Sequence, residues 1–303
     1  MIAVISHDAG GAQVLSSWIL NQSEPFCLVV DGPAIEIFKN KLNSFVNIDL
    51  NTAINKCDWV LCGTSWQSEL EINAIKLATK HAKKTVSLLD HWVCYKERFI
   101  RVSEQVFPDE IWVNDSYAKK IAMKTFPGIK IIENKNYYLE DLKKELLLNM
   151  SNISKSRSKG KTVLYICEPL SEQALKQYGD EKYWGYTEHE ALDFFLKNIK
   201  IIDNEICKIV LRLHPAETEG KYDDIISKYP ILIELSKNSL PTEIIESDII
   251  IGCESMAMVV GLIAGKRVIS CIPPGGKPSE LPHKEIENLA TLLDNFSLAK
   301  HAV

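Results

Sequence analysis

The sequence predicts an α/β protein made of two doubly wound, Rossmann-like domains, and two observations support this fold class. Short apolar runs typical of buried parallel strands alternate with helical patterns along the 303 residues. The polar segment Ser151–Lys161 (SNISKSRSKGK) interrupts this alternation, which then resumes. The chain is long enough for two domains with separate cores. We therefore predict domains at 1–150 and 161–303, with the carboxyl edges of their sheets facing a cleft.

The first half opens directly on a buried strand, and each later strand is an apolar run that ends at a polar or glycine-containing loop. The predicted strands are Ile2–Ser6, Phe26–Val30, Phe45–Ile48, Asp58–Cys62, Thr85–Leu89, Glu110–Val113 and Ile129–Ile132. The helical patterns between and after them cover about 12–20, 34–41, 68–81, 116–125 and 138–150.

The second half centres on Ser247–Pro274, which predicts a strand, a tight loop, an apolar helix and another strand. Ser255 is a natural N-cap for that helix, and Gly265 is placed to end it as a C′ glycine. The predicted strands are Val163–Cys167, Cys207–Leu213, Ile231–Leu235, Ile249–Ile251 and Val268–Cys271. The predicted helices cover about 188–199, 222–228, 241–246, 256–264 and 284–299.

The amino-acid composition limits the classes of protein to which the chain can belong. A hydrophobic content of 46%, a charged content of 25% and a net charge of −5 are typical of a globular protein without general attraction to nucleic acid or anionic lipid. The eight cysteines show no CxxC pair or metal-ligand spacing, and most lie in apolar runs, which favours a reducing compartment. Without a signal-like start or a spanning apolar run, we expect a cytoplasmic protein with at most peripheral membrane contact.

The loop after the first strand combines possible acid–base groups with glycines. His7 and Asp8 are followed by Gly10 and Gly11, but the spacing is not the dinucleotide fingerprint GxGxxG. Asp8 or His7 is a candidate base toward a hydroxyl, and the two glycines are candidates for close approach to substrate. The alternative is that Asp8 only caps the following helix.

A second loop with candidate catalytic and substrate-binding residues follows the strand Thr85–Leu89. Asp90 is a candidate base, and we favour it slightly over Asp8 because Trp92 and Tyr95 offer rings that stack on a sugar. Arg98, further along the same loop, is counted with them as a substrate ligand. The alternative is that Asp90 caps a helix while both rings pack beneath it.

In the second half, the candidate ligands for an anion also follow strands. Arg212 and His214 alternate with leucines and are expected to share one strand face, with Pro215 ending the strand. A guanidinium and an imidazole at a strand end suit a phosphate, whereas a surface histidine is the simpler alternative.

The remaining candidates lie in two other loops of the second half. Glu168 follows its first strand, and a solvated loop acid is the alternative explanation. Gly252, Glu254 and Ser255 precede the apolar helix, whose N–H groups and dipole favour an anion. A plain buried βαβ unit would show the same pattern.

The His214-Pro215 dipeptide, followed by Gly252 and Ser255, resembles the bacterial sialyltransferases of GT-B fold and related CMP-nonulosonic acid transferases. The resemblance implies that His214 and Ser255 hold the nucleotide phosphate, and that a carboxylate of the first domain is the base. The acidic-acidic-glycine motif that carries this base in the family has no recognisable counterpart here. The matched motifs lie within Val163–Pro274.

The sequence thus predicts a metal-independent glycosyltransferase that moves a sugar to a glycan or protein hydroxyl. Its donor would be a CMP- or UDP-linked sugar bound by the second domain as a substrate, with no further cofactor. A nucleotide-sugar epimerase or hydrolase of the same fold is the nearest alternative. A non-catalytic module that binds nucleotide or sugar is the alternative from another class.

Overall fold

The computed structural model describes residues 1–65, 68–101, 104–152 and 160–301. The chain forms two compact units, Met1–Asp141 and Leu142–Val303, and each has its own parallel sheet with helices. The predicted class of two doubly wound α/β units is confirmed. Most of the predicted linker (153–159) lies outside the described residues, so the domain limits 1–150 and 161–303 stay a prediction. Within the described residues, no helix is both apolar enough and long enough to cross a bilayer.

The first unit contains a six-stranded parallel sheet and a small antiparallel pair. The strands are β1 (Ile2–Ser6), β2 (Phe26–Val30), β3 (Trp59–Cys62), β4 (Lys84–Leu89), β5 (Ile100–Arg101), β6 (Glu104–Gln105), β7 (Glu110–Val113) and β8 (Lys130–Glu133). The sheet order is β2-β1-β3-β4-β7-β8, and β5 pairs with β6. The order therefore reverses between β1 and β3, where α/β sheets bind ligands beyond the carboxyl ends of the strands.

The predicted strand Phe45–Ile48 is reduced to one parallel bridge between Leu28 and Asn47. The side chain of Asn47 replaces the missing backbone ladder: its Oδ1 accepts from Val30 N at 2.9 Å, and its Nδ2 donates to Val30 O at 2.8 Å. An apolar run with this asparagine therefore follows the sheet edge without forming a regular strand.

The helices of the first unit are α1 (Ala9–Ile19), α2 (Ala34–Leu42), α3 (Leu50–Lys56), α4 (Leu70–Lys80), α5 (Ser116–Thr125) and α6 (Tyr137–Asn152), which continues into the second unit. Three tryptophans pack together on one face of the sheet. The ring of Trp18 on α1 lies 5.2 Å from that of Trp112 and 6.4 Å from that of Trp59. Trp59 and Trp112, from β3 and β7, are 5.8 Å apart, so α1 is held across the sheet by aromatic contacts.

The second unit repeats the architecture without the antiparallel pair. Its strands are β9 (Lys161–Ile166), β10 (Ile206–Arg212), β11 (Leu232–Leu235), β12 (Ile249–Gly252), β13 (Arg267–Ser270) and β14 (Glu287–Asn288). Its helices are α7 (Leu170–Tyr178), α8 (Glu188–Ile202), α9 (Asp223–Ile226), α10 (Leu240–Glu246), α11 (Met256–Ile263) and α12 (Leu289–His301). The sheet order, β11-β10-β9-β12-β13-β14, is that of dinucleotide-binding Rossmann sheets.

The second unit has a capping box at the start of one helix and the predicted C′ glycine at the end of another. Thr187 and Glu190 form a capping box at the start of α8, and Gly265 follows α11 with φ of +69°. The terminal helix begins later than predicted, at Leu289, because Glu287 and Asn288 pair with β13 as an edge strand. The order of strands places the loops after β9 and β12 side by side at the second switch point.

Candidate functional site

In the first unit, the loops after β1 and β3 meet through the carboxylate of Asp8. Ser65 Oγ donates to Asp8 Oδ1 at 2.7 Å, and His7 Nδ1 lies 2.8 Å from the same oxygen. Asp8 occupies the N-cap position of α1, yet its side chain makes no capping hydrogen bond. The carboxylate is therefore directed to His7 and Ser65 rather than to the helix.

The contact with Asp8 fixes the chemistry of the His7 ring. A carboxylate only accepts, so the neutral imidazole carries its proton on Nδ1 and leaves Nε2 unprotonated. A Cβ atom on Gly32, whose φ is +54°, would lie 2.5 Å from His7 Nε2, so glycine is required where the ring passes. A carboxylate-oriented imidazole with an unprotonated Nε2 is an arrangement suited to general-base catalysis.

Asp90, the predicted base after β4, is held by a buried ion pair. Its Oδ1 accepts from Arg98 NH1 at 2.9 Å, and the same nitrogen donates to Thr64 Oγ1 at 2.9 Å. The side chains of Asp90 and Arg98 are 14% and 8% exposed. The Arg98 guanidinium thus connects the loop after β4 to the loop after β3, and its role as a substrate ligand stays a prediction.

The two glycines after β1 lie where the loops of the first switch point approach one another, and their assignment to substrate binding stays a prediction. A Cβ atom on Gly10 would collide with Asp90 Oδ2. A Cβ atom on Gly11 would lie 3.4 Å from the Cα atom of Gly63, where α1 packs against the loop after β3. Gly10 therefore allows α1 to approach the loop after β4, whereas a Cβ atom on Gly11 would make an ordinary van der Waals contact.

The two rings predicted to stack on a sugar, those of Trp92 and Tyr95, are buried, and their role toward a substrate stays a prediction. Trp92 and Tyr95 are only 5% and 4% exposed. Trp92 Nε1 donates to Asp115 Oδ2 at 2.8 Å, and the ring of Tyr95 stacks on Phe126 at 6.4 Å between centroids. The backbone between them is left-handed at Cys94, with φ of +56°, and both rings lie in the core.

We expect Asp90→Asn to lower the free energy of unfolding by about 3 kcal/mol, because the buried Arg98 guanidinium loses the charge of its carboxylate partner. Urea denaturation of the variant and of wild type measures the difference. Glu36→Gln is the matched control, since Glu36 forms an exposed pair with Lys39 and its loss should leave the unfolding midpoint nearly unchanged. An Asp90→Asn midpoint equal to that of wild type would contradict the structural role.

In the second unit, Glu168 bridges the loops after β9 and β12. Its Oε1 accepts from the backbone N–H groups of Cys253 and Glu254, each at 2.9 Å. Burial raises the pKa of Glu168. Two backbone amides just before α11 are thus already paired with a carboxylate. Glu168 therefore stabilises the conformation of the loop after β12, which was predicted to bind phosphate.

Glu254 lies beside this bridge and is itself half-buried. Its Oε1 accepts from Glu280 N at 3.1 Å, and burial raises its pKa to about 7, with the nearby Glu168 acting in the same direction. A carboxyl group of this kind changes between hydrogen-bond donor and acceptor near neutral pH. Such a group at a Rossmann switch point suits a sugar hydroxyl better than a phosphate.

Ser255 is the N-cap of α11, as predicted: its Oγ accepts from Ala257 N at 3.2 Å. Gly252 is the last residue of β12 and is buried, and its assignment to nucleotide binding stays a prediction. A Cβ atom there would lie 3.2 Å from Met258 Sδ and 3.3 Å from Ile166 Cβ. β12, β9 and α11 thus pack closely at this point, and a side chain at residue 252 would require its neighbours to shift by a few tenths of an ångström.

His214 is exposed on the loop after β10, and its ring orientation is fixed by the backbone. Its Nδ1 accepts from Ala216 N at 3.1 Å, so the neutral ring carries its proton on Nε2. His214 N donates to Glu217 Oε2 at 2.9 Å. The loop therefore presents Nε2–H as a hydrogen-bond donor, which suits an anionic oxygen.

Glu217 anchors the His214 loop and was not singled out in the sequence. Its side chain is fully buried, and its Oε1 accepts from Tyr222 OH at 2.5 Å and from Lys221 Nζ at 3.0 Å. Lys221 also pairs with the buried Glu188 at 2.7 Å. These buried hydrogen bonds and ion pairs hold the loop after β10 in place, while the His214 ring stays exposed.

Arg212 is the last residue of β10 and is paired within the second unit, and its assignment to the phosphate stays a prediction. β10 ends at Arg212, so the alternation of side chains stops before His214 is reached. Arg212 NH1 donates to the buried Glu243 at 2.9 Å, and to Ser236 Oγ and Asn238 O at 3.0 Å each. The guanidinium connects β10 to α10.

Comparison with known proteins supports the fold and leaves the activity open. No protein-family model matches the chain, and no curated protein matches it. A solved UDP-GlcNAc 2-epimerase from Methanocaldococcus jannaschii is similar, with a TM-score of 0.57 and 12% identity over 89% of this chain and 83% of that one. A putative UDP-N-acetylglucosamine 2-epimerase from Listeria monocytogenes gives 0.54 and 11% over 88% and 78%. Anabaena HepE in complex with UDP-glucose gives 0.52 and 8% over 99% and 100%.

Proposed function

We propose that the protein is a glycosyltransferase that uses a nucleotide sugar and transfers the sugar to a hydroxyl group of a glycan or protein. The observation that carries the proposal is the switch point of the second sheet. There, the loop after β10 presents an imidazole N–H (His214), and the loop after β12 presents a capped helix N-terminus (Ser255) and a half-buried carboxyl (Glu254). These groups match the phosphate and sugar hydroxyls of a nucleotide.

The roles within the second unit follow from this chemistry. His214 Nε2 and the N-terminus of α11 are assigned to the phosphate whose charge grows as the glycosidic bond breaks. Glu254 is assigned to a ribose or sugar hydroxyl, and Glu168 is assigned to holding the loop. The resemblance to sialyltransferases favours a CMP-linked nonulosonic acid as donor, whereas the UDP-glucose complex of HepE supports a UDP-linked sugar.

We assign the removal of the proton from the acceptor hydroxyl to the first unit. An acceptor hydroxyl must lose its proton as the new bond forms, and His7, oriented by Asp8, offers an unprotonated nitrogen for it. Asp90 remains an alternative base, although one of its oxygens is paired with Arg98. The geometry therefore shifts our preference from Asp90 to the His7–Asp8 pair.

A second candidate function is that of a nucleotide-sugar epimerase. The similarity to two UDP-GlcNAc 2-epimerase structures favours it, as do three carboxyl groups around the first switch point, those of Asp8, Glu71 and Asp90. Incubation with the donor alone separates the functions. An epimerase converts the donor sugar without an acceptor, a transferase requires the acceptor, and a binding module leaves the donor unchanged.

A thermal-shift screen with CMP, CDP, UDP and GDP tests the proposal directly. We expect one of these nucleotides to raise the melting temperature, because a ligand at 100 times its Kd stabilises the native state by about 2.7 kcal/mol. The matching nucleoside without phosphate, and inorganic phosphate alone, are the controls. The absence of a shift with every nucleotide at millimolar concentration would contradict a nucleotide-sugar enzyme.

A further inference from the structure

Glu71, the second residue of α4, is a buried acid beside the His7–Asp8 pair. Its side chain is hidden from solvent, with the residue only 3% exposed. Its Oε1 accepts from the backbone N–H of His7 at 2.8 Å, whereas its Oε2 is buried and has no hydrogen-bond partner among the residues that the structure describes. Oε1 therefore holds the loop after β1, which carries the candidate base. Oε2 carries either a proton or a negative charge that no hydrogen-bond donor of the described residues stabilises.

A carboxyl group is not required for the structural part of this role. An amide oxygen of glutamine would accept the same bond from His7 N and would not need to be charged. An ionised carboxylate in this place is costly, because burial removes its hydration and Oε2 has no donor. Burial accordingly raises the pKa of Glu71 to about 7, and the charge of Asp8 acts in the same direction. Groups of this kind occur at functional sites more often than in structural cores.

The neighbours of Glu71 identify what its charge can influence. Cys62 of β3 approaches the backbone of Glu71, but burial raises the pKa of that thiol well above its ordinary value, so it stays neutral. Glu69 on the same helix is largely exposed and pairs with Arg101. The titrating groups that face Glu71 from the β1 loop are His7 and Asp8.

We propose that Glu71 is a positioning residue whose ionisation sets the activity of the His7–Asp8 pair. Ionised Glu71 strengthens the bond to His7 N and adds a negative charge beside the imidazole, which favours the transfer of a proton onto His7. Neutral Glu71 keeps the bond but removes this charge. The inference rests on the proposed function, in which His7 accepts the proton of the acceptor hydroxyl.

The pH dependence of turnover tests the proposal. Because the group is neutral below its raised pKa and charged above it, wild-type kcat should rise about 10-fold between pH 6 and pH 8 as Glu71 ionises. Glu71→Gln should match wild type at pH 6 and show a clearly smaller rise than wild type. Glu71→Asp, which retains a carboxyl, should keep a rise, and Glu36→Gln serves as a surface control with the wild-type profile.

A measurement without substrate separates this inference from the proposed function. Infrared difference spectra between pH 6 and pH 8 should show loss of a protonated carboxyl band, and this band should be weaker by one group in Glu71→Gln. Identical pH profiles of wild type and Glu71→Gln, or identical spectra, would overturn the role of Glu71. A normal Glu71 titration in a protein that turns over no nucleotide sugar would instead remove the proposed function.

Discussion

Asp8→Asn is expected to lower kcat by about 100-fold or more while nucleotide affinity stays close to that of wild type. In the native protein, Asp8 Oδ1 contacts both His7 Nδ1 and Ser65 Oγ. An asparagine can direct its NH2 group at Nδ1, which shifts the imidazole proton to Nε2 and removes the nitrogen that accepts the substrate proton. Turnover with donor and acceptor, measured together with the nucleotide-induced thermal shift, gives both quantities.

Asp90→Asn is the comparison for this experiment. We expect it to lower stability more than Asp8→Asn and kcat less, since its carboxylate is committed to Arg98. If Asp8→Asn keeps full kcat while Asp90→Asn loses it under conditions where both are folded, the base is Asp90, as the sequence alone favoured.

His214→Ala should weaken nucleotide binding or turnover by about 10- to 1000-fold without loss of folding. The exposed ring makes a single local bond, from Ala216 N to Nδ1, so its removal costs little stability, whereas its Nε2–H is the donor assigned to phosphate. Titration calorimetry with the nucleotide identified by thermal shift measures the change.

His189→Ala is the matched control for His214→Ala, because it removes another imidazole of the second unit. His189 lies on α8, where its Nε2 is 3.2 Å from Lys221 O. We expect near wild-type affinity in this control. Wild-type affinity in His214→Ala as well would remove the histidine from the phosphate site.

The fold was predictable because the strands of parallel sheets are continuous apolar runs that are buried on both faces. Ile2–Ser6 and Ile249–Ile251 are of this kind, and both form strands in the predicted places. Phe45–Ile48 shows the limit of the pattern: it is apolar enough for a strand, but the hydrogen bonds of Asn47 decide its structure.

The candidate site was predictable at the level of loops, because ligand-binding loops follow strands at switch points. The direction of each side chain was not. Arg212 is paired with Glu243, a residue 31 positions away, and no local pattern shows such a partner. Glu71 reads in the sequence as one more polar residue at a helix start, and only the fold places it against His7, 64 positions earlier.

The three packed tryptophans have a consequence for experiments on this chain. Of the six tryptophans, only Trp184 belongs to the second unit. Indole rings 5 to 7 Å apart, like those of Trp18, Trp59 and Trp112, couple their electronic transitions and give a strong near-ultraviolet circular dichroism signal. This coupled indole signal comes from the unit that carries His7 and Asp8, so its loss reports disruption of the packing of that unit, whereas the second unit contributes the separate signals of Trp184 and its tyrosines.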